Sequence, residues 1–201
     1  MAKGEKVAGK NLMTPEFRVS FPAVFQARAA VAGQEPKFSL GMLWPKTADL
    51  SELKAAIRAA ATIKWGVDPA KWPKNLRSPL RDGAEKDYDG YGPGVVFASA
   101  SSKMRPGVVD QDVKPIIEPS EFYGGCYARA TISVYAYDIA GNRGVAFGLR
   151  NVQKIRDGEA FSGATKPEED FDVIPLPKGS TRGDAGVSAG VGVSAEDPLG
   201  I

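Results

Sequence analysis

The stretch at 126–138, CYARATISVYAYD, alternates without interruption, and its two faces differ in kind and not merely in polarity. One parity is Cys126, Ala128, Ala130, Ile132, Val134 and Ala136, a small apolar set suited to the interior of a tightly curved barrel. The other is Tyr127, Arg129, Thr131, Ser133, Tyr135 and Tyr137. A period of two held this long is the signature of a half-buried strand. A second strand at 143–155 follows Ile139-Ala140-Gly141-Asn142, a hairpin-sized connection with a permissive glycine. Any fold of this chain must therefore accommodate one long hairpin whose inner face is made of small residues.

Other segments can pair with it. At 16–30, Phe17, Val19, Phe21, Ala23, Phe25 and Ala27 share one parity, while Arg18, Ser20, Gln26 and Arg28 share the other. Pro22 cannot donate to a ladder, so this strand is expected at a sheet edge or with a bulge there. Residues 37–44 repeat the pattern with Phe38, Leu40, Met42 and Trp44 before Pro45, and a further strand is expected at 95–103. Asp49 with Glu52 reads as a capping box, and Leu50, Leu53, Ile57, Ala60 and Ala61 then recur at helical spacing, which predicts one amphipathic helix to about Lys64. Between Val67 and Gly94 no periodicity holds, and a long loop is expected. Residues 1–15 read as a flexible N-terminus, 16–174 as the folded domain and 175–201, with the low-complexity GVSAGVGVSA, as a disordered tail. The chain is thus mainly β, and about five antiparallel strands with one helix fit an OB-type barrel or a sandwich. Periodicity alone does not choose between them.

Composition removes most enzyme classes. The chain has 201 residues, one cysteine and no histidine. A domain of this size can fold on an apolar core alone. Cys126 has no partner within the chain, so no internal disulfide forms and a reducing, cytoplasmic compartment is expected. Ser-His-Asp and Cys-His nucleophile pairs and zinc sites built from Cys and His are excluded. No apolar run approaches the roughly 20 residues that cross a bilayer, and MAKGEKVAGKN lacks the apolar core of a signal peptide; neither membrane insertion nor export is expected. Neither GxGxxG nor GxxxxGKS/T occurs, so a nucleotide-hydrolysing motor is excluded.

Charge is nearly balanced, Lys+Arg 26 against Asp+Glu 24, but it is segregated. Around the hairpin, Arg129, Arg143, Arg150, Lys154 and Arg156 face the single acid Asp138. Lys71, Lys74, Arg77 and Arg81 form a second basic block beside Trp65 and Trp72, and Lys103 with Arg105 a third. Acids gather instead at 157–172. Each basic block alone is also what a solvated face looks like, and strand tyrosines commonly half-bury as cross-strand pairs. Three blocks with aromatics beside them point to a groove for single-stranded nucleic acid, where rings stack on bases and cations take phosphates. Tyr127, Tyr135 and Tyr137 are the preferred stacking platforms, with Trp44 and Trp72 as further candidates. The carboxylates Asp82, Glu85, Asp87 and Asp89 raise the alternative of a magnesium-dependent nuclease. A third alternative is a virion or assembly protein whose tyrosine face is a protein interface.

Several stretches carry a family resemblance: FSLGMLWPK from Phe38, SPLRDGAEK from Ser78, FASASSKMRPGVVD from Phe97 and, most extensively, EFYGGCYARATISVYAYDIAGNRGVAFGLRNVQKIRDGEAFSG from Glu121. With the acidic EEDF ending at Phe171, these resemble the phage replicative single-stranded-DNA-binding proteins long catalogued as a domain of unknown function. The resemblance implies an OB-type barrel that coats single-stranded DNA in replication and recombination, without catalysis, cofactor or metal. Self-association along the strand is compatible with that role. In many such proteins an acidic tail recruits replication partners; here 175–201 has only Asp184, Glu196 and Asp197 against Lys178 and Arg182, although the tip still combines Glu196, Asp197, Leu199 and Ile201.

Overall fold

The computed structural model describes residues 11–29 and 31–161. In chain order the elements are β1 (Leu12–Met13), β2 (Phe17–Arg28), β3 (Lys37–Pro45), α1 (Ser51–Trp65), β4 (Arg81–Asp82), β5 (Val95–Ser102), β6 (Gly107–Val109), β7 (Tyr127–Ile139) and β8 (Asn142–Arg156). The hairpin of β7 and β8 forms as its pattern predicts, β7 one residue further along than expected and β8 one residue longer at each end. Only Ala140 and Gly141 remain between them, at φ 50° and 81°, the left-handed pair that a two-residue turn between twisted strands requires.

The ladder closes on itself. β7 pairs with β2, β2 with β3, β3 with β5, β5 with β8, and β8 returns to β7. All these pairs are antiparallel except β5 with β8, which run parallel. A five-stranded ring of this order is the OB-type barrel, so pairing decides the choice that periodicity left open. β1, β4 and β6 add short flanking pairs to β7, β5 and β8.

The barrel interior collects the inward parity of each strand: Phe17, Val19, Leu40, Met42, Trp44, Ala98, Ala100, Ile132 and Phe147 are all buried. Alanines along β7 let the wall curve tightly while Phe17 and Trp44 fill the space, their rings edge to face at 5.8 Å. Each such large side chain removed from water stabilises the fold by roughly 1.5–3 kcal/mol. Cys126 is enclosed here too, and burial pushes its thiol up to about 11. Helix α1 buries Leu53, Ala60 and Ala61 and packs on β7 and β8.

Two local expectations are corrected. Leu50 occupies the N-cap position of α1, and Asp49 serves the helix from one residue further out, its Oδ1 accepting from the Ser51 N–H at 2.9 Å. In β2 the alternation breaks at Phe21 and Pro22. The register with β3 shifts between Ser20 and Ala23, Phe21 turns out to solvent and Val24 takes the next core position. β2 pairs with β7 at Phe17 and Arg18 and with β3 on either side of Pro22, and the missing proline donor is accommodated by the bulge.

Candidate nucleic-acid interface

Midway along β3, β5 and β8 the outer parity is small, flanked on β3 and β5 by the buried pair Leu43 and Phe97. Ser39 of β3 pairs with Ser101 of β5, Ser101 with Gly148 of β8, and Gly148 with Ser133 of β7. The adjoining row runs Ser20, Gly41, Ser99, and on the hairpin Ala146 pairs with Tyr135. The result is a floor of hydroxyl, methyl and bare backbone across the exterior of β3, β5 and β8, where larger side chains would fill the space. In OB-type barrels this exterior, with the loops beside it, is where oligonucleotides lie.

At the hairpin tip the floor acquires walls. Tyr137 pairs with Gly144, and a Cβ on Gly144 would sit 2.5 Å from the Arg77 carbonyl oxygen. Glycine therefore admits a second chain: the Arg77 N–H donates to the Arg143 carbonyl and the Val145 N–H donates to that of Arg77, each at 3.0 Å. These two bonds hold 77–81 against β8. The cleft between this segment and the hairpin has a volume of about 690 Å³ and is lined by Arg77, Ser78, Arg81, Phe97, Ser99 and Tyr137, among others. Arg81 lies 4.9 Å above the Phe97 ring and is paired with Glu85 at 2.6 Å. Arg143 reaches Asp138 at 2.9 Å. Tyr135 is half-buried beside Ala146, and its phenol is pushed up, first by burial and then by Tyr137.

The base of the same hairpin is built differently. The Arg156 guanidinium lies 3.3 Å from the Tyr127 ring centroid and pairs with Glu16 at 2.8 Å. Lys154 is largely buried, bound to Asp157 at 2.8 Å and set over the Tyr123 ring. Tyr127 and Tyr137 are separated by roughly 30 Å of strand. The predicted tyrosine set is thus divided between an open end and a closed one.

This barrel has known counterparts. The profile of a family described as Enterobacter phage Enc34, ssDNA-binding protein, matches residues 10–184. The chain belongs to that family. A protein designated p50 of Acyrthosiphon pisum secondary endosymbiont phage 1 is 39% identical, over 79% of this chain and 91% of its own. The single-stranded DNA-binding protein of bacteriophage Enc34, solved in complex with ssDNA, superposes with a TM-score of 0.62 at 22% identity, covering 76% of this chain and 89% of that one. Gp2.5, the single-stranded DNA-binding protein encoded by bacteriophage T7, shares the fold at a TM-score of 0.53 and 13% identity, over 80% of this chain and 99% of its own.

Against the fold of this family the remaining predicted residues separate by position. Trp44 is corrected: it is fully enclosed in the core and offers no face to a base. Trp72 is half-buried against the core, its indole N–H donating to the Gly66 carbonyl at 2.8 Å, and it lines a smaller cavity of about 410 Å³ beside Lys54, Arg58 and Arg77. Lys71 and Lys74 stand exposed near it, Lys71 within 3.8 Å of Asp68. Lys103 pairs with Glu35 at 2.6 Å, which holds that carboxyl below its usual range, and Arg105 lies over the Phe25 ring at 5.9 Å. Arg129 donates to Gln153 at 2.9 Å, and Arg150 is exposed where the β7–β8 register shifts. Of the carboxylates considered for a metal, Asp82 binds Lys46 at 2.7 Å and Glu85 binds Arg81. No group of three or more such ligands stands together among the described residues. Glu196, Asp197, Leu199 and Ile201 lie outside the described residues.

Parity alone missed one group. Phe21, Tyr88, Tyr91 and Phe97 form a connected aromatic cluster, with centroid separations of 5.2 Å for Phe21–Tyr88, 5.8 Å for Tyr88–Tyr91 and 5.2 Å for Tyr91–Phe97. The Tyr91 hydroxyl donates to Ser20 on the floor at 3.2 Å. Pro22, which breaks the alternation of β2, was the available signal.

Proposed function

We propose that this chain binds single-stranded DNA along the exterior of β3, β5 and β8, without strong sequence preference, and coats it during phage DNA replication and recombination in the host cytoplasm. The observation that carries the reading is the small-residue floor ending at the Arg77–Tyr137 cleft, on the ligand-binding exterior of the family's barrel. Tyr135 and Tyr137 supply stacking surfaces; Arg77, Arg81, Arg143 and Arg150 supply charge for phosphates. Stacking suits every base, because each has a π face, so this arrangement does not depend on sequence. Of the carboxylates considered for a metal, Asp82 and Glu85 pair with Lys46 and Arg81.

Fluorescence titration with single-stranded and duplex oligonucleotides over a salt series tests this. Preference for the single strand is expected, with affinity falling by about 0.7 log units per log unit of salt for each phosphate neutralised, a slope of roughly −3 to −4 for about five contacts. A flat salt response would contradict it. The tip carrying Glu196, Asp197, Leu199 and Ile201 is assigned to capture of replication or recombination partners. Deleting 196–201 should weaken partner pull-down and leave oligonucleotide affinity intact; unchanged capture would remove that role.

A further inference from the structure

Phe21 combines three features that folding alone does not require of one residue. Its backbone sits at φ 42°, in the left-handed region that disfavours residues bearing a Cβ. Its ring is 63% exposed. It nonetheless stands on a central strand of the barrel, where an inward aromatic or an outward polar residue would each satisfy the alternation. A strained position holding an exposed aromatic is a pattern that clusters at ligand sites.

The surroundings say what such a ring can receive. Tyr88, itself 54% exposed, meets Phe21 edge to face, and Tyr91 tilts against it at 6.5 Å while contacting Phe97. Phe97 in turn lines the Arg77–Tyr137 cleft. The row between the two ends runs from Ser20, which is buried beneath its bond to Tyr91, through Gly41 to Ser99 and Ala146, and crossing the three interstrand gaps from β2 to β8 takes roughly 14 Å. Lys86 Nζ lies 5.9 Å from the Tyr88 ring, placing a cation beside the aromatic pair. If Phe21 served only to hold 83–94 in place, its own burial would repay the backbone strain, and its ring is mostly in solvent.

We propose that Phe21 and Tyr88 form a second base-stacking platform, at the far end of the floor from Tyr135 and Tyr137, so that one single strand crosses the barrel between two aromatic ends. This rests on the reading of the chain as a single-stranded-DNA binder and adds where the second end of the bound strand is held. The bulge at Phe21–Pro22 turns the ring outward.

The test is titration of an oligothymidylate with the full chain and with Phe21→Gly, Phe21→Leu and Tyr137→Ala. Loss of one base–aromatic stack weakens binding roughly 5- to 150-fold, and both Phe21 variants are expected in that range. Glycine adopts φ 42° freely, so Phe21→Gly should melt no lower than the parent protein while losing affinity, a separation that a packing role for the ring would not produce. Photocrosslinking with a 5-iodouracil-substituted oligonucleotide should label the peptide bearing Phe21 or the one bearing Tyr88. Parental affinity in both Phe21 variants alongside weakened Tyr137→Ala would overturn the second platform and leave the general reading standing. Crosslinks confined to other peptides would also overturn it. Failure of the parent protein to bind would overturn both, and the parent titration distinguishes that case.

Discussion

The two ends of the β7–β8 hairpin have nearly the same composition and opposite construction. Each carries tyrosine and arginine, Tyr127 opposite Arg156 at the base and Tyr137 one residue from the Asp138–Arg143 pair at the tip. At the base, Arg156 covers Tyr127 and is held by Glu16, while Lys154 sits between Tyr123 and Asp157. Ring and cation there complete one another, so the ring face that Arg156 covers is closed to a base. At the tip the cross-strand partners of Tyr135 and Tyr137 are Ala146 and Gly144, and Tyr137 lines a cleft together with Ala146. What separates an open aromatic end from a packed one is thus the size of the opposite residue, not the presence of aromatics and charge.

The largest effect that would break this contrast is on affinity. Replacing Tyr135 and Tyr137 by Ala should cost roughly 1–3 kcal/mol of single-strand binding for each platform lost. Thermal unfolding should move little, since neither ring is in the core cluster. A well-folded double variant with parental affinity would return the tip to the same status as the base.

The converse change at the base should act on stability. Tyr127→Ala removes the ring beneath Arg156, and a cation–π contact of this kind contributes about 0.5–2 kcal/mol. Denaturant unfolding should show that loss while the oligonucleotide titration stays unchanged. A fall in affinity without a fall in stability would mean that Tyr127 reaches DNA after all.

Much of the barrel was legible in the sequence because burial on one side writes itself as period two: β3, β5, β7 and β8 stand where the alternation predicts them. β6 was not, since a three-residue strand is too short to show a period and its parallel pairing with β8 is settled by tertiary contact. Parity groups Phe21 with Phe17 and Val19 because it assumes an unbroken pleat, and one bulge inverts it. Trp44 offers itself as an available ring by its type alone, although its own strand parity places it inward with Leu40 and Met42. The floor was written in plain view as the alternating small residues of FSLG, FASAS and GVAFG, yet small residues look like absence until pairing shows that they lie side by side. Arg77 lies far from β8 in the chain, and only the close approach at Gly144 brings it to the site.

A smaller effect lies in the salt dependence. Arg77→Ala should lower the magnitude of the slope of log affinity against log salt by about 0.7, the share of one phosphate contact on a single strand. Lys154→Ala should leave the slope unchanged, because that ammonium is largely buried and committed to Asp157. Equal changes in the two variants would erase the distinction between tip and base.

The smallest effect concerns the carboxylate within the cleft. Glu85 holds Arg81 at 2.6 Å over Phe97, which aims the guanidinium and also competes with any phosphate for it. Both partners are exposed, and exposed pairs contribute about 0.2–1 kcal/mol, so the competition is modest and fades with salt. Glu85→Gln keeps an acceptor for Arg81 and removes the competing charge. Single-strand affinity should rise by a few fold at low salt, in keeping with that magnitude, and converge on the parental value at high salt. The matching change at the base, Glu16→Gln, should produce no gain, because Arg156 remains on the Tyr127 ring. A gain from Glu16→Gln equal to that from Glu85→Gln would show that net charge alone governs binding and that the cleft has no special standing.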